Sequence, residues 1–369
     1  MRPETPRAGA AGPRGARGPY AVHFGGPDLA PARLRDILEQ RVAAVPAGGE
    51  IDWVTYYFRD RRLAHALLDA RRRGVRVTLT LEARPRTAHA NHAVARILSG
   101  ADGLGTGLRL VRHPRLPIRS HVHEKLYCFS HPHPAAFIGS FNPSGDQPEL
   151  EPEIVDEIRD QDRGHNVLVE IRDRGLVAGL VAHARRLHGS RHGVLERFAP
   201  AANGRLRGDD VEVFFLPSWR PNPLLAQLRH AGAGAVVRIA ASHIKGPTAA
   251  RALLELAGRG ARVTVVAEET HRRVPARMEE RLMAGGITLH RLVHPAGLPM
   301  HDKFVLIEQA GQRRVVFGSF NWTERSFRFN HEIGVICTDR DVVEALAARW
   351  EALEAQAAPT APQRKAPRR

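Results

Sequence analysis

His123-Glu124-Lys125-Leu126-Tyr127-Cys128-Phe129, with Gly139-Ser140-Phe141-Asn142 ten residues further on, is one half of the pattern that decides this fold. The other half is His301-Asp302-Lys303-Phe304-Val305-Leu306-Ile307, followed by Gly318-Ser319-Phe320-Asn321. His to Asn is 19 residues in the first copy and 20 in the second, and the copies stand 178 residues apart. On a strand, residues i and i+2 share a face, so each His projects beside its Lys, and a hairpin return brings GSFN alongside. Lysine is scarce here. Of 55 basic residues only Lys125, Lys245, Lys303 and Lys365 are Lys, and two of the four fall in these motifs. A compact ammonium is not interchangeable with a planar guanidinium in a tight site.

Working outward, the flanks repeat as well. Residues 62–82 read as an amphipathic helix, Arg73-Gly74 and a β-branched strand, and residues 249–268 repeat this with Arg259-Gly260. A strand precedes each, Ile51–Tyr57 and Val236–Ala240, and each half opens with a strand and a helix: Tyr20–Phe24 with Arg33–Val45, and Val211–Leu216 with Pro223–His230. A further helix and short strand follow: Ala88–Leu98 with Leu108–Val111, and Pro275–Met283 with Ile287–Leu292. The Gly-rich loop Ala101–Gly107 accounts for an eight-residue difference in spacing. Strands alternating with helices predict an α/β fold with a covered sheet in each half. The expected division is a disordered basic tail over 1–19, a first lobe over 20–200, a second lobe over 209–355 and a disordered basic tail over 356–369. Pro, Asn and Gly break both periodicities between the lobes, near Pro200–Gly208.

If the two patches face each other, the chain holds two imidazoles, two ammoniums, two amides and two hydroxyls in one place. That set suits attack on a phosphodiester: one His as nucleophile, one as proton donor to the leaving oxygen, and Lys and Asn donors on the phosphoryl oxygens. H-x-K followed by G-S-x-N, twice in one chain, resembles the phospholipase D superfamily, the HKD phosphodiesterases. The likeness spans roughly residues 20–350 and is sharpest at GSFNWT, Gly318–Thr323, with Asn330-His331-Glu332 behind it. It implies two tandem α-β-α sandwich lobes about a pseudo-two-fold axis, the site between them, a covalent phosphohistidine and no required metal or cofactor. Carried onto this sequence, it implies His123 and His301 as nucleophile and acid, Lys125, Lys303, Asn142 and Asn321 as phosphate binders, and Ser140 and Ser319 in support on the substrate side. Trp322, directly after GSFN, is a candidate to line the substrate pocket, with a core anchor the equal alternative.

The departures are specific. The family's Asp five residues after each Lys is Ser130 here in one copy and Glu308 in the other, and the carboxylate Glu332 aligns with Asn166 of Gly164-His165-Asn166. A carboxylate partner raises imidazole basicity and fixes its tautomer. The two histidines are therefore expected to be unequal. The one touching Glu332 is the expected nucleophile, and the resemblance implies a cross-lobe contact, hence His123.

Composition bounds the rest. The formal net charge is +16, of which the N-terminal tail carries +3 and the C-terminal tail +4, leaving about +9 on the body. A basic body favours anionic partners. Two Cys exclude a disulfide framework, and Cys128 and Cys337 sit in apolar runs as expected buried thiols. No apolar run approaches the length of a membrane span and none at the N-terminus resembles a secretory signal, so a cytoplasmic chain is expected, with peripheral membrane contact and export left open as alternatives. Of His113, His121, His131 and His133, the expectation is ordinary surface histidines rather than a metal site, since no Cys or carboxylate stands at ligand spacing. Trp219 with Arg220 is a loop aromatic that could touch substrate or lipid, Arg71–Arg73 a solvated helix end, and Val342–Leu353 the packed last helix of the second lobe. The expected activity is metal-independent hydrolysis of phospholipid to phosphatidate and free head group by a monomer carrying both half-sites. The alternatives are a nuclease of the same superfamily and a catalytically degenerate basic binding module.

Overall fold

The computed structural model describes residues 18–87, 89–113, 120–144, 152–193, 196–199 and 203–359. Residues 1–17 and 360–369, most of the two expected tails, lie outside them, as does part of the expected lobe boundary.

In the first lobe β1 (Tyr20–Gly25), α1 (Arg33–Ala43), β2 (Glu50–Thr55), α2 (Arg61–Arg72), β3 (Arg76–Glu82), α3 (His92–Ser99) and β4 (Leu108–Val111) precede the hairpin of β5 (Leu126–Phe129) and β6 (Ala135–Gly139). Then come α4 (Pro152–Ile158), β7 (Asn166–Ile171) and α5 (Arg174–Gly189). The second lobe follows the same plan: β8 (Leu206–Arg207), β9 (Val211–Leu216), α6 (Pro223–His230), β10 (Val236–Ala241), α7 (Pro247–Gly258), β11 (Arg262–Glu268), α8 (Ala276–Ala284) and β12 (Thr288–Leu292). It ends with β13 (Lys303–Gln309), β14 (Gln312–Gly318), α9 (Glu324–Arg328), β15 (Glu332–Cys337), α10 (Arg340–Gln356) and β16 (Ala358–Pro359).

The sheet orders state the repeat. The first is β1-β7-β6-β5-β2-β3-β4, and the second contains the same succession as β9-β15-β14-β13-β10-β11-β12, with β8 and β16 added at its edges. In each, two parallel pairs carry the α/β half and antiparallel pairs carry the motif hairpin. Local sequence explains the connections. Gly74 and Gly260 adopt φ near +88° and +86°, the left-handed turn that closes α2 and α7, and Val75 N–H reaches back to the Ala70 carbonyl at 3.0 Å. Asp173 and Asp339 cap α5 and α10 by accepting from Leu176 N–H at 2.7 Å and Val342 N–H at 3.0 Å.

Outer helices cover one face of each sheet: α1–α3 over the first and α6–α8 over the second. The inner faces do not close separate cores. Val169, Phe215, Phe317, Leu180 of α5 and Trp350 of α10 belong to one buried cluster drawn from both lobes. The C-terminal helix is thus not confined to the second lobe, as its sequence suggested, but packs against β1 of the first as well as β12–β14. The expected tail boundary also shifts, since α10 includes Gln356 and Ala358–Pro359 pair with Arg291 and His290. Both Cys are free and buried, as expected.

Candidate active site

The two motifs meet across the seam between lobes through backbone bridges. Val122 pairs with His331 and His165 with Met300, both in parallel. His123 N–H donates to the His331 carbonyl at 2.9 Å, and His301 N–H to the His165 carbonyl at 2.9 Å. Each motif segment is also pinned within its own lobe: Glu82 accepts from Val122 N–H at 2.9 Å and Glu268 from Met300 N–H at 2.8 Å. The middle motif residue, on the opposite face, reaches the inner helix. Glu124 pairs with His183 of α5 at 2.9 Å, and Asp302 with Arg349 of α10 at 3.1 Å.

Each catalytic-type His is held by the first residue of a strand in the other lobe. His123 Nδ1 lies 2.8 Å from Glu332 Oε2, and His301 Nδ1 lies 2.8 Å from Asn166 Oδ1. Both contacts are cross-lobe, and they leave Nε2 of each ring for the cavity that both histidines line. Glu332 accepts from Ser319 Oγ at 2.5 Å and from Asn330 Nδ2 at 3.2 Å, while Ser140 Oγ donates to Asn166 Oδ1 at 3.1 Å. Asn166 Nδ2 donates to the Gln161 carbonyl at 2.6 Å, which fixes the amide with its oxygen toward His301. The two ammoniums lie behind the histidines: Lys125 Nζ donates to the His123 carbonyl at 2.6 Å and Lys303 Nζ to the His301 carbonyl at 3.0 Å. Asn142 accepts from Tyr57 N–H at 3.3 Å and donates to Gln161 at 3.0 Å. The amide oxygen of Asn321 is buried with no partner among the described residues.

Burial sets the electrostatics. It pushes His123 down to about 4, against the pull of Glu332, and Lys125 adds to the shift. His301 lies well below its ordinary value, through burial and then the Lys303 charge, with no carboxylate opposing. Burial also pushes Lys125 down to about 7, and burial, with the Lys125 charge added, holds Lys303 well below the usual ammonium range. For Glu332 burial opposes ionisation, but His123 and Lys125 outweigh it and hold the carboxyl below its ordinary value. Glu332 is the one carboxylate among these five groups, so an anion entering the site favours the charged forms of the lysines and imidazoles.

The cavity has a volume of about 470 Å³. His123, Asn142, His301 and Asn321 line it, together with Tyr56, Lys245, Arg272 and Arg273, which the sequence reading did not assign to the site. Tyr56 packs edge-on to His123 at 4.7 Å between ring centroids, and Lys125 Nζ sits 5.5 Å from its ring. Two signals were available. Lys245 is one of the four lysines, and Tyr56 and Lys245 lie just past the carboxyl ends of β2 and β10, where open α/β sheets place their sites.

Three expectations need correction. Trp322 does not line the cavity: it is buried in the second lobe's outer core, 6.0 Å from the Phe327 ring, because the chain turns inward after Asn321. Ser140 and Ser319 are fully buried and touch the partners of the histidines rather than the cavity. The four loop histidines are neither one cluster nor all on the surface. His121 is buried, His113 half-buried, His131 bonds to Ser130 at 2.8 Å, and His133 is exposed. Ser130 itself accepts from Glu50 N–H at 2.8 Å, and Glu308 pairs loosely with Arg313 at 3.9 Å, away from the cavity. Trp219 is exposed and packs against Phe198 at 4.8 Å, outside this cavity.

The family described as cardiolipin synthase, PLD-like domain, matches residues 45–172 and again 224–353, so each lobe carries one copy. The chain belongs to the phospholipase D-like superfamily. Members of this superfamily are phosphodiesterases, and the doubled domain accounts for the doubled sheet. A mitochondrial cardiolipin hydrolase of Xenopus laevis is 32% identical over 130 residues, 35% of this chain and 59% of that relative's length. The phosphatidylserine synthase of Haemophilus influenzae is similar in fold, with TM-score 0.64 at 11% identity over 91% of this chain and 86% of that one. The polyphosphate kinase of Porphyromonas gingivalis gives TM-score 0.57 at 16% identity over 90% of this chain and 46% of that one. Among the described residues, no helix of this phospholipase D-like chain is long and apolar enough to cross a membrane.

Proposed function

We propose that the chain hydrolyses phospholipid to phosphatidate and free head group through a phosphohistidine on His123. The observation that carries this reading is the crossed pairing: two histidines, each with Nδ1 held from the other lobe, line one cavity. Glu332 holds the proton of His123 on Nδ1 and so keeps the Nε2 lone pair free to attack. Nε2 bonds to phosphorus as the bond to the head-group oxygen breaks, and that oxygen takes a proton from Nε2 of His301. Water then returns a proton to His301 and attacks phosphorus, and the N–P bond breaks. Lys125, Lys303, Asn142 and Asn321 hold the non-bridging oxygens, and the negative substrate raises His301 so that it carries its proton. No step needs a metal or cofactor.

A lipid substrate is supported by the wall of the cavity, where Tyr56, Tyr57 and Ile158 give aromatic and apolar surface beside Lys245, Arg272 and Arg273. A monomer suffices, with both half-sites in one chain, acting peripherally at a membrane surface. The test offers vesicles of cardiolipin, phosphatidylglycerol or phosphatidylcholine, and single-stranded DNA in parallel, in excess EDTA. Head-group or phosphatidate release abolished by His123→Ala is the expected result. DNA cleavage alone would replace the lipid reading by a nuclease, and no turnover of either would leave a binding module. His301→Gln should still react with a p-nitrophenyl phosphodiester, whose leaving group needs no acid, and should accumulate a mass adduct on His123. An adduct on another residue would overturn the nucleophile assignment.

A further inference from the structure

Beside the seam, but outside the cavity lining, three imidazoles from distant segments converge. His113 follows β4, His192 follows α5 and His331 precedes β15, so two belong to the first lobe and one to the second. One nitrogen from each ring lies within 4.8 Å of one from each of the others. The rings stand 5.3–5.7 Å apart between centroids, with His192 nearly perpendicular to both neighbours. His192 and His331 are almost wholly buried, and none of the six ring nitrogens makes a hydrogen bond of normal geometry with a described residue. Buried imidazole nitrogens without partners are costly, and three such rings together need an explanation.

The pseudo-two-fold supplies a control. His165 stands before Asn166 as His331 stands before Glu332, and His294 follows β12 as His113 follows β4. At that end the structure provides an ordinary partner: Arg349 lies 2.7 Å from His165 Nδ1, with Asp28 behind it. At the His331 end a third imidazole, His192, is supplied instead.

We propose that His113, His192 and His331 bind one divalent transition metal ion of the zinc class, which ties the first lobe to the strand that carries Glu332. Three imidazoles with one open position for water is an established zinc donor set. Tetrahedral coordination asks for nitrogen separations of about 3.4 Å, so the rings close by roughly 1 Å on binding. Burial keeps all three imidazoles below their ordinary value, with His113 at about 4, so the lone pairs are available at neutral pH. Glu82 offsets part of the charge of Arg109 and Arg197 around the group. The role is structural, so it stands or falls independently of the hydrolysis reading. His331 is bridged to Val122, and its neighbour Glu332 holds His123, so the ion stiffens the frame around the site without touching substrate.

The test uses the full chain prepared without a polyhistidine tag, stripped with EDTA, dialysed and titrated with Zn²⁺, and separately with Co²⁺. One equivalent is expected, with the intense visible bands of four-coordinate cobalt and a rise in the thermal midpoint on adding zinc. His192→Gln and His113→Gln should each weaken binding at least tenfold and remove the zinc-dependent rise, with circular dichroism confirming that both variants remain folded. Less than a tenth of an equivalent bound by the wild type would overturn the proposal. Binding of unchanged affinity in both variants would overturn it too, by placing the ion elsewhere.

Discussion

At Lys125 the balance between burial and charge makes a prediction with a definite sign. Its ammonium is pushed down to about 7 from an ordinary 10.5, by burial. In the free protein it is therefore charged below that pH and neutral above it. Binding of dimethyl phosphate, which keeps a single charge throughout, should weaken by up to about tenfold per pH unit above 7. Between pH 7 and 10.5 the unfolded chain holds a proton on Lys125 that the folded chain does not, so the same group adds stability as pH rises. Calorimetric titration of His123→Ala with dimethyl phosphate from pH 6 to 9 checks the first, and affinity independent of pH would refute it. Asn166 carries the second residue-scale prediction. Its amide oxygen lies 2.8 Å from His301 Nδ1, where the equivalent partner of His123 is a carboxylate. Asn166→Asp should raise the His301 pKa by about 1–3 units, read by NMR titration of the ring, and an unmoved pKa would show that burial alone sets it.

The motif hairpins explain why GSFN begins with glycine. A Cβ on Gly139 would stand 2.0 Å from the Val167 carbonyl oxygen, and one on Gly318 2.2 Å from that of Ile333. Both contacts are to the neighbouring strand's backbone, which cannot swing aside. Gly139→Ala should therefore cost about 1–3 kcal/mol or more in denaturant unfolding, and should lower turnover as well, because β7 carries Asn166. Loss of activity at unchanged stability would point to a different role for this glycine. The elements themselves were legible because their signals are local: Arg-Gly helix ends, Asp caps and alternating β-branched runs act within a few residues. The expectations that failed at this scale concern direction. Trp322 and the two serines follow the motif in sequence, but which way each side chain turns is set by packing against Phe327, Glu332 and Asn166.

Across the whole molecule the decisive feature is the shared inner core. Trp350 of α10 is buried among residues of both lobes, and α10 reaches β1 while His183 of α5 stacks on Phe215 of β9 at 3.6 Å. The lobes should consequently unfold as one unit, giving a single calorimetric transition, and two resolved transitions would contradict this. Trp350→Ala should cost about 3–5 kcal/mol and lower that single transition as a whole.

By itself the sequence determined that there are two copies, where each begins, and which His, Lys and Asn recur, since repetition is written in residue order. Its carboxylate asymmetry, Glu332 against Asn166, was equally plain. The crossing of those partners, which the family resemblance implied for His123 but no local signal records, rests on the tertiary structure. So do the arginines and Lys245 that complete the cavity, and the three imidazoles drawn from 113, 192 and 331. Periodicity and propensity act over neighbouring residues, whereas these groups meet only when two sheets close on one core, and no local signal records which loops that closure brings together.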